Sequence, residues 1–290
     1  MKQIQLKRES IGWGYGFLGV IIFSLTLPAT RIAVAELDSA FVGLGRAVIA
    51  AGFAIVLLTL THQPVPPKKF LPSFIVVAVG VVIGFPLLTA IAMKNAPASY
   101  GAVITGLMPL ATALFGVWRG KERVANSFWI FALLGSGLVV CFALTSGTKS
   151  ISITDFALFG AVAAAGMGYA EGAVLARSLG AWQVICWSLV LCLPILLPVV
   201  IIRSPTSFSL ISLNAWLGFL YVSVFSMFLG FIAWYRGLAC GGIANVSQIQ
   251  LVQPFLTILA SGILLNEVLS IRTFGFAIGV IICVVLSKRF

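Results

Sequence analysis

One carboxylate stands well inside an apolar run of this chain: Glu171, eight residues before the end of the run 156–179, or about 12 Å at the helical rise. A charge that deep costs roughly 2.5–3.5 kcal/mol on insertion scales and usually marks an ion or proton route. Three readings stay open: it holds a ligand ammonium, it carries a proton with an affinity raised by burial, or it is a protonated or cation-paired residue with no further task. Other polar residues inside the apolar runs recur in pairs 145 residues apart, namely Ser24 with Tyr169, Thr26 with Glu171, Tyr100 with Asn245 and Thr105 with Gln250. Tyr221, Ser223, Ser226 and Trp234 add polar groups in the run 213–234, and Gln248 and Gln253 in the run 243–265. Asn245 and Gln248 share one helix face at i,i+3. In apolar surroundings such side chains either meet a polar solute or bond neighbouring helices.

Catalytic inventories are poor by comparison. His62 is the sole histidine and sits at the end of a run, so neither an intramembrane Ser-His pair nor an HExxH zinc site can be assembled. Gly135-Ser136-Gly137 therefore reads as packing. Asp38 and Asp155 are expected in loops, unsuited to an intramembrane aspartyl dyad. The stretch 116–122 has the wrong spacing for a phosphate loop and places Glu122 after Lys121. The five cysteines, Cys141, Cys186, Cys192, Cys240 and Cys283, are odd in number and form no CxxC, which excludes a disulfide framework and a cysteine metal site. An enzyme is not expected, nor is any cofactor or metal.

The elements that position these residues follow from composition. Of 290 residues, 61% are hydrophobic and 9% charged, against roughly 45–50% apolar and about 25% charged in a soluble domain. A water-soluble enzyme is excluded. Apolar runs cover 11–35, 40–61, 71–93, 98–118, 128–145, 156–179, 182–202, 213–234, 243–265 and 273–287. Their length fits membrane helices of about 20 residues, and the absence of alternation excludes spanning strands. The expected fold is all-α and integral to the membrane, with ten spans. The first run is too long for a signal h-region and carries Arg31 beside Ala33-Val34-Ala35, the nearest imitation of a cleavage site, so it reads as a span.

The 18 basic and 7 acidic residues give a net charge of +11, which on a soluble chain suggests nucleic acid; here the cations lie between the runs and no nucleic-acid partner is expected. Twelve fall on the N-terminal side (Lys2, Lys7, Arg8, Lys68, Lys69, Arg119, Lys121, Arg123, Arg177, Arg236, Lys288, Arg289) and four opposite (Lys94, Lys149, Arg203, Arg272). Both termini are thereby expected in the cytoplasm. Arg31 and Arg46 remain, each within about two turns of the outer surface and within snorkelling reach. Glycines 12, 14, 16, 80, 84, 166, 168, 172, 275 and 279 suit close helix contact, and Pro28, Pro86, Pro109 and Pro254 are expected as kinks or hinges.

Sliding the chain on itself by 145 residues aligns Pro109 with Pro254, Thr112 with Thr257, Leu114 with Leu259, Glu122 with Glu267, Phe131 with Phe276, Ala132 with Ala277, Val139 with Val284 and Val140 with Val285. The Pro and Glu keep identical spacing in both copies. Two units, 1–145 and 146–290, each of five spans, must enter the membrane in opposite senses, the plan of many secondary transporters.

The stretches PLLTAIAMKNAPASYGAVITGLMPLATALFGVWRGKE (86–122) and FIAWYRGLACGGIANVSQIQLVQPFLTILASGILLNE (231–267) each join a small-residue helix start, a mid-helix Pro and a terminal Glu. In this the chain resembles the ten-span EamA-type exporters of the drug/metabolite transporter superfamily, and within it looks most like the YddG-type exporters of aromatic and other amino acids. The resemblance implies a central cavity lined by spans 1, 3, 4, 6, 8 and 9, spans 5 and 10 at the periphery, and export by alternating access across a bacterial inner membrane. The residues then expected around small amphipathic metabolites, amino acids and related drugs among them, are Ser24, Thr26, Tyr100, Thr105, Tyr169, Glu171, Tyr221, Trp234, Asn245, Gln248 and Gln250. Membrane lipid is the surrounding partner and the oligomeric state is open. A passive channel for small solutes is the alternative, since nothing in the sequence distinguishes two gates from a continuous pore.

Overall fold

The computed structural model describes residues 2–120, 130–131, 133–135, 137–138, 141–142, 145 and 152–289, without the side chains of 2–9, 120, 244, 245, 248, 284 and 287–289. Lys121, Glu122, Arg123, Ser136, Lys149 and most of the run 128–145 lie outside the described residues, as do the side chains of Lys2, Lys7, Arg8, Asn245, Gln248, Lys288 and Arg289. In chain order the helices are α1 (Lys2–Ser24), α2 (Thr26–Val34), α3 (Ser39–Leu60), α4 (Leu71–Val77), α5 (Phe85–Asn95), α6 (Ala98–Thr105), α7 (Met108–Gly120), α8 (Ile153–Leu179), α9 (Ala181–Ile202), α10 (Leu213–Leu220), α11 (Phe231–Gly241), α12 (Ile243–Val246), α13 (Gln253–Leu265) and α14 (Ile271–Arg289). Wide π turns join α4 to α5 (Ala78–Gly84) and α10 to α11 (Tyr221–Gly230), and a tight 3₁₀ stretch, Ser247–Val252, precedes α13.

Seven continuous helical segments among the described residues are long and apolar enough to cross a membrane: Ser10–Val34, Ser39–Leu60, Lys68–Asn95, Ala98–Arg119, Ile153–Leu179, Ala181–Ile202 and Leu213–Gly241. Ile249–Leu265 and Ile271–Cys283 are shorter apolar helices. The chain is thus an all-helical integral membrane protein; against the expected count of ten, the described residues give seven full-length segments and two shorter ones.

Polar residues at the helix ends satisfy the backbone N–H groups that no preceding turn can reach. Asp38 caps α3 through Ala40 N and Phe41 N. Ser152 and Asp155 form a reciprocal capping box on α8, so Asp155 belongs to the first turn of a helix and is buried, not a loop residue as its sequence position suggested. Glu267 accepts from Ala98 N (2.7 Å) and Ser99 N (3.0 Å), so α6 is capped by a carboxylate 168 residues further along. Gly180 and Gly242, at φ 98° and 87°, turn the chain out of α8 and α11 through a region closed to most side chains.

Buried apolar residues fill the centre of the bundle, while Leu60, Trp118, Ile195, Ile202 and Ile263 stand exposed on its outside, where lipid tails would cover them. α1 meets α11 and α4–α5 meets α8 through glycine, as expected: a Cβ on Gly12 would stand 2.5 Å from Gly241 N, and one on Gly80 2.8 Å from Gly168 Cα. Gly14 and Gly275, expected at contacts too, face open space.

The backbone irregularities repeat along the chain. The π turn Ala78–Gly84, shifted by 145, falls at 223–229, inside the π turn Tyr221–Gly230. The start of α6 at Ala98 falls on the start of α12 at Ile243. A break after Thr105 precedes Pro109, and the 3₁₀ stretch Ser247–Val252 precedes Pro254. In α1–α2 the break at Leu25 precedes Pro28.

Candidate functional site

The break at Leu25 follows from Pro28. Proline has no N–H to give the carbonyl four residues back, and that carbonyl, Ser24 O, accepts instead from Thr257 Oγ1 at 2.8 Å. The Ser24 hydroxyl itself turns back to Ile21 O (2.7 Å). One residue past the break, Thr26 Oγ1 meets Ser226 Oγ at 2.9 Å; Ser226 lies on the π turn Tyr221–Gly230. Ser226 Oγ also accepts from Arg46 Nη2 at 2.8 Å. A guanidinium only donates, so Ser226 accepts from it, while between Ser226 and Thr26 either hydroxyl can be the donor.

Arg46 is therefore not the snorkelling residue its position near the end of a run suggested. It is 1% exposed, seven residues into α3 and so about 10 Å along it. The reason is rotation: its face of α3 looks inward, at the π turn. Its Nε and Nη1 have no partner among the described residues, nor do Trp234 Nε1 and Gln250 Oε1.

Aromatic rings enclose this polar group. Phe23 stacks on Tyr169 (centroids 6.4 Å), sits edge-on to Trp234 (6.2 Å) and lies 5.2 Å from Phe231, and Tyr169 meets Trp234 edge-on at 5.6 Å. The Tyr169 hydroxyl lies against the Gln250 amide, whose Nε2 reaches Gln253 Oε1 at 3.5 Å. At the centre remains a cavity of about 10 Å³, bordered by Phe23, Thr26, Tyr169, Ser226, Phe231 and Gln253 among others; that is room for about one water.

Glu171 is elsewhere. Its carboxylate is forked by Arg119, Nε to Oε2 at 2.5 Å and Nη2 to Oε1 at 3.0 Å, beside Ser73. Both residues line a partly open cavity of about 420 Å³ with Phe115, Trp118 and Met167, here termed the Arg119 mouth. Tyr235, wholly buried, is close both to Tyr169 at the centre and to Glu171 at the mouth. Its hydroxyl donates to Gly168 O (3.1 Å), and its ring lies 5.6 Å from that of Phe231. A Cβ on Gly172 would fall 2.3 Å from the Tyr235 ring, so only glycine leaves the ring its place.

At the opposite end a second open cavity, about 340 Å³, is bordered by Arg31, Glu36, Lys94, Ser212 and Asn214. Arg31, expected to snorkel freely, donates instead to Met93 O (2.8 Å) and Ala96 O, and pairs with Glu267 at 3.7 Å. It ties the ends of α2, α5 and α13 together. Glu36, in the loop after α2, accepts from Ser212 N (2.6 Å) and Ser212 Oγ (2.5 Å), and these bonds hold its carboxyl below the usual carboxylate value. The Tyr100 hydroxyl donates to Asp155 Oδ1, and its ring stacks on Phe142.

Among the residues expected from sequence, the structure thus brings Thr26, Tyr169, Trp234 and Gln250 together at the centre. Thr105 borders the cavity, but its hydroxyl is turned to Gly101 O. Glu171, Tyr100 and Tyr221 lie apart; the Tyr221 hydroxyl donates to Ile22 O (2.9 Å) and its ring stacks on Phe225. Arg46, Phe23, Phe231 and Tyr235 were missed. Only Arg46 carried a legible signal, an arginine about two turns inside an apolar run.

The model of the EamA-like transporter family matches this chain twice, over residues 10–144 and 152–288. The chain is 48% identical over 285 residues to a protein of Bacillus subtilis (strain 168) named "Uncharacterized transporter YdeK", covering 98% of this chain and 99% of that one. A solved crystal structure superposes with a TM-score of 0.71 at 16% identity, over 98% of this chain and 99% of the other, a likeness of fold alone.

Proposed function

Because this chain belongs to the EamA-like transporter family, we propose that it is a secondary transporter exporting small amphipathic metabolites, amino acids with aromatic side chains among them, by alternating access around the Thr26–Ser226–Tyr169 centre. Its two halves act as inverted five-helix repeats, 1–145 and 146–290. Both termini lie in the cytoplasm, which makes the Arg119 mouth the inner one and the Glu36 mouth the outer one. No catalytic role is assigned.

One observation carries this reading: a polar and aromatic centre closed to about 10 Å³ lies between two open mouths of about 420 and 340 Å³, and each mouth is braced by an ion pair, Arg119–Glu171 and Arg31–Glu267. A channel needs a continuous pore; a carrier needs a closed centre reached from one side at a time. Tyr235 and Phe231 act as the inner barrier, and Arg31 with the carbonyls it gathers acts as the outer one. The helix breaks before Pro28, Pro109 and Pro254, with the π turn just before Pro86, supply hinges around the centre, as discontinuous helices do in inverted-repeat carriers.

Tracer flux of phenylalanine in proteoliposomes tests the proposal. A carrier saturates and shows counterflow, uptake of tracer against its gradient when unlabelled substrate is trapped inside. Flux that stays linear with concentration and lacks counterflow would replace the carrier by a pore.

A further inference from the structure

We infer that the Arg46 guanidinium is the anchor for a carboxylate on the transported molecule, so that the required polar group of the substrate is its acid and not its amine. The inference rests on the transporter reading above and narrows its substrate class to carboxylates with an aromatic or apolar body.

The argument begins with charge. Arg46 is 1% exposed, yet its only bonded partner among the described residues is the neutral Ser226 hydroxyl. A buried cation is ordinarily paired, and the described acids within the helices and their loops are all engaged elsewhere. Glu171 is taken by Arg119, Glu267 by Arg31 and the start of α6, Asp155 by Ser152 and Tyr100, Asp38 by the start of α3, and Glu36 by Ser212. What the protein leaves unsupplied, a bound anion can supply.

Geometry selects the anion. With one N–H of Nη2 on Ser226, the second N–H of Nη2 lies parallel to an N–H of either Nε or Nη1, and both of those nitrogens are unpartnered. Two parallel N–H groups match the two oxygens of a carboxylate. Ser226 borders the central cavity, as does Tyr169, whose hydroxyl is electrically close to Arg46. The cavity of about 10 Å³ holds only a water in the closed state, so the anion enters when the centre opens; a carboxylate on Arg46 beside Ser226 then directs the rest of its molecule at Phe23, Tyr169, Phe231 and the neighbouring Trp234, rings suited to an apolar body. No described acid faces the same cavity, so an ammonium group finds there only neutral hydroxyl and amide oxygens and ring faces, with no opposite charge to pair with.

Four related molecules separate the groups: phenylalanine, 3-phenylpropanoate (no amine), phenylalaninamide (no carboxylate) and phenethylamine (no carboxyl carbon). In counterflow with proteoliposomes, phenylalanine and 3-phenylpropanoate should exchange, while the amide and the amine should exchange roughly tenfold less or worse, as when a site's polar group is left unmatched. Arg46→Lys keeps the charge but loses the fork, and should lower carboxylate counterflow by roughly tenfold. In wild-type protein 3-phenylpropanoate should raise the unfolding temperature; in Arg46→Lys that shift should vanish while the unliganded protein still unfolds in one cooperative step. Should the variant fail to fold, the comparison of the four molecules on wild-type protein decides alone. Amide or amine exchange equal to that of the carboxylates would overturn the anchor and leave the carrier standing. Exchange of none of the four would overturn both the anchor and the aromatic cargo.

Discussion

Two buried ionisable groups divide the labour of this molecule, and they differ in who completes them. Glu171 is 2% exposed, but Arg119 reaches it from the solvent side with 53% of its own side chain exposed, so the protein closes that circuit by itself. Arg46, at similar burial, meets only a hydroxyl. The acid that looked like the functional charge in the sequence is the self-sufficient one, and the cation that looked like a surface residue is the one left open. Depth in a membrane helix thus marks a candidate, while the partner decides between a brace and a binding group.

The sharpest way to break the comparison is to remove the brace from either side. Arg119→Ala strands a buried carboxylate, which costs about 3 kcal/mol, the low end for a broken buried pair because the mouth admits water. Glu171→Gln strands a guanidinium that is already half in water, and exposed charges are worth under about 1 kcal/mol. Thermal unfolding in detergent should therefore fall clearly for Arg119→Ala and little for Glu171→Gln. The same Glu171→Gln should leave both gradient-driven flux and counterflow of carboxylates within about threefold of wild type, a small effect for a surface-linked pair. Loss of gradient-driven flux alone would make Glu171 a proton carrier after all, and loss of both modes would move the binding site towards the Arg119 mouth.

The wall between the two centres offers the next test. Gly172→Ala places a Cβ 2.3 Å from the Tyr235 ring, and overpacking of this kind typically costs about 1–3 kcal/mol. The displaced ring would also join the mouth to the centre. Tyr235→Phe removes only the bond to Gly168 O, about 1 kcal/mol, and keeps the ring in place. Leak of 3-phenylpropanoate through Gly172→Ala but not through Tyr235→Phe is the expected outcome in proteoliposomes. Equal, tight membranes with both variants would place the barrier elsewhere.

The sequence showed the helices readily because spanning lipid demands long apolar runs, and it showed the 145-residue offset because Pro109 and Pro254 each follow a break that their missing N–H requires. Asp155 was expected in a loop, although Ser152-x-x-Asp155 is a capping signature from which its place in the first turn of α8 can be read. Arg46 was legible in depth but not in direction, for a physical reason: linear depth says how far a side chain lies from the surface, whereas the rotation of α3 says whether it looks at lipid or at Ser226, and a run apolar on nearly every face carries no periodicity from which to read rotation. Tyr235 escaped for a similar reason. Its importance lies in Gly168 and Gly172 on another helix, a relation between distant segments. Thr26, Tyr169 and Gln250 do meet at the centre, but their partners at the 145-residue offset do not join them: Glu171 lies at the Arg119 mouth, and the Ser24 and Thr105 hydroxyls turn to Ile21 O and Gly101 O.

The smallest expected effect lies at the Glu36 mouth, where an exposed acid is held by an ordinary backbone and hydroxyl pair in contrast to both buried centres. Ser212 N and Oγ lower the Glu36 carboxyl from its ordinary value of 4.5, because both donors favour the charged form. A lowered folded-state value means that the contact stabilises the protein fully above about pH 4.5, the ordinary carboxylate value, and loses that contribution as pH falls through the lowered one. Glu36 also ties the α2–α3 loop to the start of α10, so its protonation should loosen that mouth before it affects the bundle. A cysteine placed at Asn214, which borders this mouth, should accordingly react faster with a thiol reagent in Glu36→Gln than in the otherwise identical protein at pH 7. The two rates should converge as the pH of a pre-incubation is lowered past the Glu36 titration, with labelling read after a brief return to neutral pH if the loosened state persists, or by an acid-tolerant disulfide reagent if it does not. Identical rates at every pH would show that the Arg31–Glu267 tie alone holds this end closed, and would leave the contrast between open and self-completed charges resting on the two buried groups.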